Sequence, residues 1–375
     1  MGRREGTLEN LVKTWHGQRV FLTGHTGFKG SWLALWLNRL GAQVRGYALD
    51  PCTEPNMFSL AGVGAVVDDV RGDVRDCAEL EAAMTEFAPQ VVFHLAAQPI
   101  VRRSYVDPVG TYATNIMGTV NLLEAVRKTP SVRAVVCVTT DKCYQNQEWI
   151  WPYRETDPLG GYDPYSSSKA CAEIVSAAYR SSFFPIERIR EHHVAVATAR
   201  AGNVIAGGDW SEDRLIPDLI RGFKSGRPVL IRHPNAVRPW QHVLDPLHGY
   251  LILAEKLLAE PVRFASAYNF APNNEDTWPV ERIATKLTEM WGSSAAWTHD
   301  SGPSPHEANV LRLDASKARA ELGWKPRLNL EAALEWTAAW YRGWNQGEDM
   351  ARFTLEQIGN YDVKYTGSKS HRGRQ

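Results

Sequence analysis

Cysteine is scarce in this sequence: Cys52, Cys77, Cys137, Cys143 and Cys171 are the only five in 375 residues, and no two form a CxxC pair. Scattered, odd-numbered thiols argue against a disulfide framework and a cysteine-based zinc site; no metal is expected, and the usage fits a reducing, cytoplasmic compartment. An excess of charge of either sign is missing too, because Lys plus Arg and Asp plus Glu number 42 each. Without a basic field, neither nucleic acid nor a membrane surface is expected as a partner. No run approaches the roughly 20 apolar residues of a spanning helix. The opening MGRREGTLENLVKTW has no apolar stretch of the kind a secretory signal needs. What remains is a globular composition, 44% hydrophobic and 22% charged, in a chain long enough for one large or two smaller domains. Fourteen tryptophans are many, and composition does not say whether they serve core, interface or stacking.

The first half alternates. RVFLT (19–23), AQVRGYALD (42–50), AVVDDV (65–70), QVVFHLAA (90–97), RAVVCVTT (133–140) and HHVAVATARAGNV (192–204) read as strands. Between them, 28–40, 78–87, 110–128 and 166–181 carry helical spacing. Alternation with near-continuous Val, Ala and Leu in the strands predicts an α/β fold with a doubly wound, Rossmann-type parallel sheet covered on both faces. After residue 204 Gly and Pro become denser, predicting a smaller C-terminal α/β lobe interleaved with the first. The expected division is a dinucleotide-binding domain at 15–204, joined by 241–271, and a substrate lobe at 205–240 and 272–350. Residues 360–375 read as a frayed tail.

TGHTGFKG (23–30) follows the first strand and opens the first helix, with Gly24, Gly27 and Gly30 spaced GxxGxxG. Glycine permits the tight turn and lets a pyrophosphate approach backbone N–H groups where the helix dipole favours an anion; Thr26 and Phe28 complete the loop. Asp50, at the end of the second strand, stands where a carboxylate accepts the ribose hydroxyls of NAD and repels the extra phosphate of NADP. Asp73 and Val74, after the third strand, could hold the adenine edge. Ala96 and Ala97, after the fourth, are small enough to let a cofactor lie against the sheet edge. YSSSK sets Tyr165 and Lys169 four apart on one helix face. A tyrosine is a poor base at neutral pH, but a nearby ammonium and a bound nicotinamide cation would favour its phenolate. TTDK (139–142) ends a buried strand. Taken alone, Asp141–Lys142 is as readily a charge pair at a strand end as a pair of catalytic groups.

Together TGHTGFKG, GDVRD, HLAAQ, TTDK and YSSSK resemble the extended short-chain dehydrogenase/reductase family, over residues 17–345. TTD directly before a charged residue resembles, within it, the nucleotide-sugar 4,6-dehydratases. FLTGHTGFKGSWL, TTDKCYQNQEW, GGYDPYSSSKACAE, RAGNVIAGGDW and HEANVLRLDASKA resemble the branch acting on CDP-glucose. The resemblance implies a retained NAD and a redox-neutral lyase of deoxysugar biosynthesis, as in lipopolysaccharide O-antigen supply. In it Tyr165 deprotonates the sugar 4-hydroxyl, Thr140 hydrogen-bonds the 4-oxygen, and Asp141 is the acid at C6. Lys142 departs from the glutamate of the broader pattern. It is either a neutral base for the C5 proton, a cation steadying the enolate, or an ion-pair partner of Asp141.

Asn203, Arg232 and Arg238 are the candidates for the substrate diphosphate, since arginine forks suit phosphates. Asp213 and Glu307 follow with lower weight. The helices 110–128 and 166–181 carry apolar residues on more than one face, and the resemblance implies a homodimer or dimer of dimers built on them. Two other readings stay open: another nucleotide-sugar enzyme, either a different dehydratase or a 4-epimerase, the epimerase having no need for Asp141 and Lys142, and a non-catalytic NAD-binding regulator, which would not need Tyr165 and Lys169.

Overall fold

The computed structural model describes residues 8–292, 295–300 and 310–366. Seven segments pair into one sheet: β1 (Arg19–Thr23), β2 (Gln43–Ala48), β3 (Asp68–Arg71), β4 (Val91–His94), β5 (Ala134–Val138), β6 (Ala195–Ala201) and β7 (Ala267–Phe270). Their spatial order is β7-β6-β5-β4-β1-β2-β3 and every pairing is parallel. The order reverses between β1 and β4, which opens a crevice at their carboxyl ends. The register sets Val20 opposite Val44 and Val91, and Val136 opposite Phe93 and Ala197, so the sheet centre is dry on both faces.

The helix Phe28–Arg39 is buried on all sides from Trp32 to Leu37. One side meets the sheet; on the other, Tyr361 of the last helix meets the Trp36 ring edge-on at 5.5 Å. That contact explains why the tail expected at 360–375 does not begin at 360: the helix Met350–Thr366 continues because Ile358 and Tyr361 are fully buried. Residues 367–375 lie outside the described chain. The tryptophans largely serve the core, with Trp15, Trp32, Trp36, Trp324 and Trp340 among the largest fully buried side chains.

The helix read over 110–128 is divided. Pro108–Tyr112 leads into a widened turn at Ala113–Met117, and the helix resumes at Gly118–Arg127. The widened turn aims Asn115 inward. Its carbonyl accepts from the Gln98 N–H at 2.9 Å and its amide donates to the Ser168 hydroxyl at 2.8 Å. This ties the β4 loop to the helix Pro164–Ser182. The third strand begins three residues later than its apolar run, because Val63–Ala65 turns tightly after Gly62.

Beyond β6 three short pairs build the lobe: Val204–Ile205 with Gln241–His242, Val229–Ile231 with Trp297–His299, and Val237–Pro239 with Thr277–Pro279. The helices Leu215–Ser225, Val280–Trp291 and Leu330–Asn345 cover them. The helix Leu244–Ala259 and β7 pack back on the main sheet. Among the described residues no helix is long and apolar enough to cross a membrane, and no group of three His, Cys, Asp or Glu is placed to hold a metal ion.

Candidate active site

A cavity of about 1130 Å³ opens between the carboxyl ends of the strands and the lobe. The glycine loop forms one wall. Gly24 has φ +77°, and a Cβ there would lie 2.7 Å from the Ala96 nitrogen; one on Gly30 would lie 2.1 Å from the Gly24 carbonyl oxygen. Packing inside the protein therefore explains both. Gly27, at the helix N-terminus and exposed to the cavity, would bring a Cβ only to an ordinary 3.4 Å from that same oxygen. No internal contact requires it to be bare, and a pyrophosphate seated on the helix N-terminus fits the cradle. Thr26 ties the loop to β2 by donating its hydroxyl to the Leu49 carbonyl at 2.9 Å. The neighbouring Asp50 leaves its carboxylate 88% exposed at the cavity wall. Phe28, Asp73, Val74, Ala96 and Ala97 line the same end.

His25, between Gly24 and Thr26 in the loop, turns away from the cavity. Its buried ring lies under β2 against Gly46, where a Cβ would fall 2.3 Å away, and hydrogen-bonds Asp69 at 2.8 Å. Burial outweighs Asp69 and pushes the imidazole's pKa down.

At the other end of the cavity the structure brings Thr140, Asp141, Lys142, Tyr165 and Lys169 together. Asp141 follows β5 and is 2% exposed. One of its oxygens accepts from the Thr140 hydroxyl at 3.0 Å; the other is buried without a hydrogen-bond partner among the described residues. Burial pushes its pKa up, against the pull of the Lys142 charge and the Thr140 hydrogen bond. The carboxyl is thus biased toward its protonated form, with an oxygen to spare. The Lys142 N–H donates to the Thr140 hydroxyl at 3.3 Å, which fixes the start of the turn. Burial pushes Tyr165 up to about 12. The influences favouring its phenolate come from the Thr140 hydroxyl and the Arg214 charge. Lys169, brought down to about 8 by burial, donates to the Val138 carbonyl at 3.2 Å.

Asn203, Arg232 and Arg238 also reach the cavity. Arg238 is buried, and its positive charge acts on Asp141, so it stands at the reacting end. Arg232 lies 3.6 Å from Asp213, which also accepts from Arg102 at 3.0 Å. Asp213 thereby links the β4 loop to the lobe across the cavity mouth. Glu307 lies outside the described residues.

Sequence reasoning passed over three groups. Lys29 projects from the loop into the cavity, where burial, Arg214 and Lys169 bring it down to about 7. Arg102 carried no signal of its own. Glu173 and Arg200 form a buried pair at 2.7 Å, and Glu173 also accepts from Thr139, next to Thr140. An arginine inside an apolar strand signals a buried acid partner, and Glu173 follows Lys169 by one helical turn.

A cradle for a pyrophosphate and a tyrosine–lysine pair on one parallel sheet define the class, an extended short-chain dehydrogenase/reductase. A family model described as GDP-mannose 4,6-dehydratase matches residues 21–337, and the chain belongs to this nucleotide-sugar dehydratase family. It is 50% identical over 347 residues to the CDP-glucose 4,6-dehydratase of Salmonella typhimurium, covering 92% of this chain and 97% of that one. Among solved structures, a dTDP-glucose 4,6-dehydratase from Streptomyces venezuelae, with NAD and TYD bound, shares the fold with a TM-score of 0.73 at 24% identity. That likeness covers 89% of this chain and 99% of the other. A UDP-glucose 4-epimerase from Thermotoga maritima, with UDP-glucose, also scores 0.73 at 22% identity, over 87% and 99% of the two chains.

Proposed function

We propose that this chain converts CDP-D-glucose to CDP-4-keto-6-deoxy-D-glucose, an NAD-dependent hydro-lyase reaction. The observation that carries this reading is Asp141: a buried carboxyl with raised pKa and an oxygen unpartnered among the described residues, one residue from Thr140 in the cavity that also holds Tyr165. An epimerase has no use for an acid there. The choice of cytidine rests on the 50% identical relative.

Bound NAD supplies the two-electron acceptor and donor that keep the reaction redox-neutral overall. Tyr165 takes the proton of the sugar 4-hydroxyl, and the Thr140 hydroxyl holds the 4-oxygen. The resulting 4-ketone acidifies the C5–H. Asp141 gives its proton to the C6 hydroxyl, which leaves as water, while Lys142 serves the C5 side of that elimination. Arg238, Arg232 and Asn203 hold the diphosphate, and Lys169 holds the ribose side of the cofactor near Tyr165.

The protein works as a homodimer or a dimer of dimers in the cytoplasm. Support for the assembly comes from Val106 just before the helix Pro108–Tyr112, Val109 on it, Met117 in the widened turn, Ile174 on Pro164–Ser182 and Phe183 just after it, all of which stay exposed.

Offering the purified protein CDP-, UDP-, dTDP- and GDP-hexoses and weighing the products tests this reading. CDP-glucose should give a product lighter by one water. An isomer of unchanged mass would make the enzyme an epimerase, and turnover of another nucleotide alone would reassign the substrate.

A further inference from the structure

We infer that Asp218 selects the nucleobase, its carboxylate accepting a hydrogen bond from the 4-amino group of cytosine. The inference deepens the CDP-glucose reading and rests on it; that reading took its cytidine from a relative alone. The direction of the substrate fixes where the base lies. With the hexose at Thr140 and Tyr165 and the diphosphate at Arg238 and Arg232, the base falls beyond Arg232, away from the reacting end. The strand Val229–Ile231 runs directly into Arg232 and lines the cavity there. The helix Leu215–Ser225 lies against that strand so closely that a Cβ on Gly222 would fall 2.1 Å from Val229 Cγ2. Asp218 stands one helical turn before Gly222, on the same face, and reaches the cavity beside Pro217.

This corner suits a pyrimidine. Val229, Ile231 and Pro217 offer apolar surface to its faces, and Asp218 supplies an acceptor for its edge. The acceptor is held in place. Arg221 donates to the Trp210 carbonyl at 2.9 Å and to the Ser211 carbonyl at 3.2 Å, and from that fixed position it also holds Asp218 Oδ1. Asp218 Oδ2 has no partner among the described residues, and the side chain is 36% exposed. Burial and the charges of Asp213 and Glu212 push its pKa up against the pull of Arg221, so this carboxylate gains from a further donor. Two other acids on the lobe side of the cavity are already engaged: Asp209 by Arg214 and the Ser211 N–H, and Asp213 by Arg102 and Arg232. At position 4 cytosine carries a donor and uracil an acceptor. A carboxylate bonds the first and repels the second, so one side chain both attracts CDP and rejects UDP.

Calorimetric titration of the full-length chain, with NAD present, tests this with CDP, UDP and the 5′-diphosphate of 2-pyrimidinone riboside, which is cytidine without its amino group. The unsubstituted chain should bind CDP about tenfold to hundredfold more tightly than either of the others, the usual discrimination of one well-placed base contact. Asp218→Ala should bring CDP and the amino-free analogue to equal affinity. Asp218→Asn, whose amide can donate to the uracil oxygen, should bind UDP more tightly than the unsubstituted chain does. Equal binding of CDP and the amino-free analogue by the unsubstituted chain would overturn the assignment, and that arm needs no variant to fold. So would a CDP preference that survives Asp218→Ala, or a parallel loss of all the ligands in a variant whose melting temperature is unchanged. If the unsubstituted chain does not prefer CDP to UDP at all, the cytidine reading itself fails and takes this inference with it.

Discussion

Asp141 and Lys142 are neighbours to which the proposed reaction gives different duties in one step, the loss of water. Asp141→Asn keeps the shape and the Thr140 hydrogen bond but has no acidic proton for C6. Turnover should fall by about 10²–10⁴, the usual worth of a placed general acid, while reduced nicotinamide still forms on mixing with substrate. Lys142→Met should behave the same way, passing the first oxidation and stalling before water is lost. Full turnover in the methionine variant would remove Lys142 from the reaction. Lys169 offers a pH test. Its ammonium form is present below about 8 and is lost as pH rises through that value. If that charge is needed, kcat/KM should decline above about 8, and Lys169→Arg, which keeps its charge, should shift the decline upward. Each of these residues was legible from its motif and spacing. The environment that raises the Asp141 pKa was not, because its burial depends on Gly202, where a Cβ would lie 3.1 Å from Asp141 Oδ2 and 2.4 Å from Pro239.

Between elements, the strand β5 and the helix Pro164–Ser182 must hold Thr140 and Tyr165 in one geometry, and Glu173 is the joint. Its carboxylate accepts from the Thr139 hydroxyl, from Thr198 at 2.7 Å and from Arg200 at 2.7 Å. Arg200 continues to the Tyr144 hydroxyl at 2.8 Å, and Tyr144 donates to Asn269 of β7 at 2.7 Å. Those donors and Arg200 keep Glu173 ionised, overcoming the burial that alone would raise its pKa. Glu173→Gln leaves the guanidinium without its buried counter-charge and should cost about 3–5 kcal/mol of stability. Thr139→Val is the milder probe, expected to cost about 1–2 kcal/mol. It should lower kcat while leaving KM for the sugar nucleotide nearly unchanged, since no substrate contact is removed. A rise in KM with kcat intact would show that Glu173 does not position the reacting groups. Strands and helices were legible because each declares itself by local periodicity. This network was not, because its members lie at positions 139, 144, 173, 198, 200 and 269, and only the sheet order makes them neighbours. The widened turn at Ala113–Met117 was hidden for the same reason: Asn115 answers to Gln98 and Ser168, not to its own helix.

For the whole molecule, the parallel sheet and the return of the chain to its edge place two different sites at one crevice. The glycine loop comes from β1, Asp141 from the end of β5, and Arg232 and Arg238, proposed for the diphosphate, from the lobe that the chain builds between β6 and β7. The alternation of elements in the sequence carried the first two; the irregular lobe, with its two-residue and three-residue strands, had no periodicity to read. The exposed apolar side chains on the flanking helices belong to this scale too. Met117→Glu with Ile174→Glu should shift the elution and scattering mass toward the monomer, and an unchanged mass would place any interface elsewhere. In the proposed reaction the hydrogen removed from C4 reappears at C6 after water is lost, and one measurement follows it directly. CDP-glucose carrying deuterium at C4, turned over in ordinary water, should yield a 4-keto-6-deoxy product, lighter by one water, with the label at C6. A product of unchanged mass, or one whose label has washed into solvent, would contradict the account.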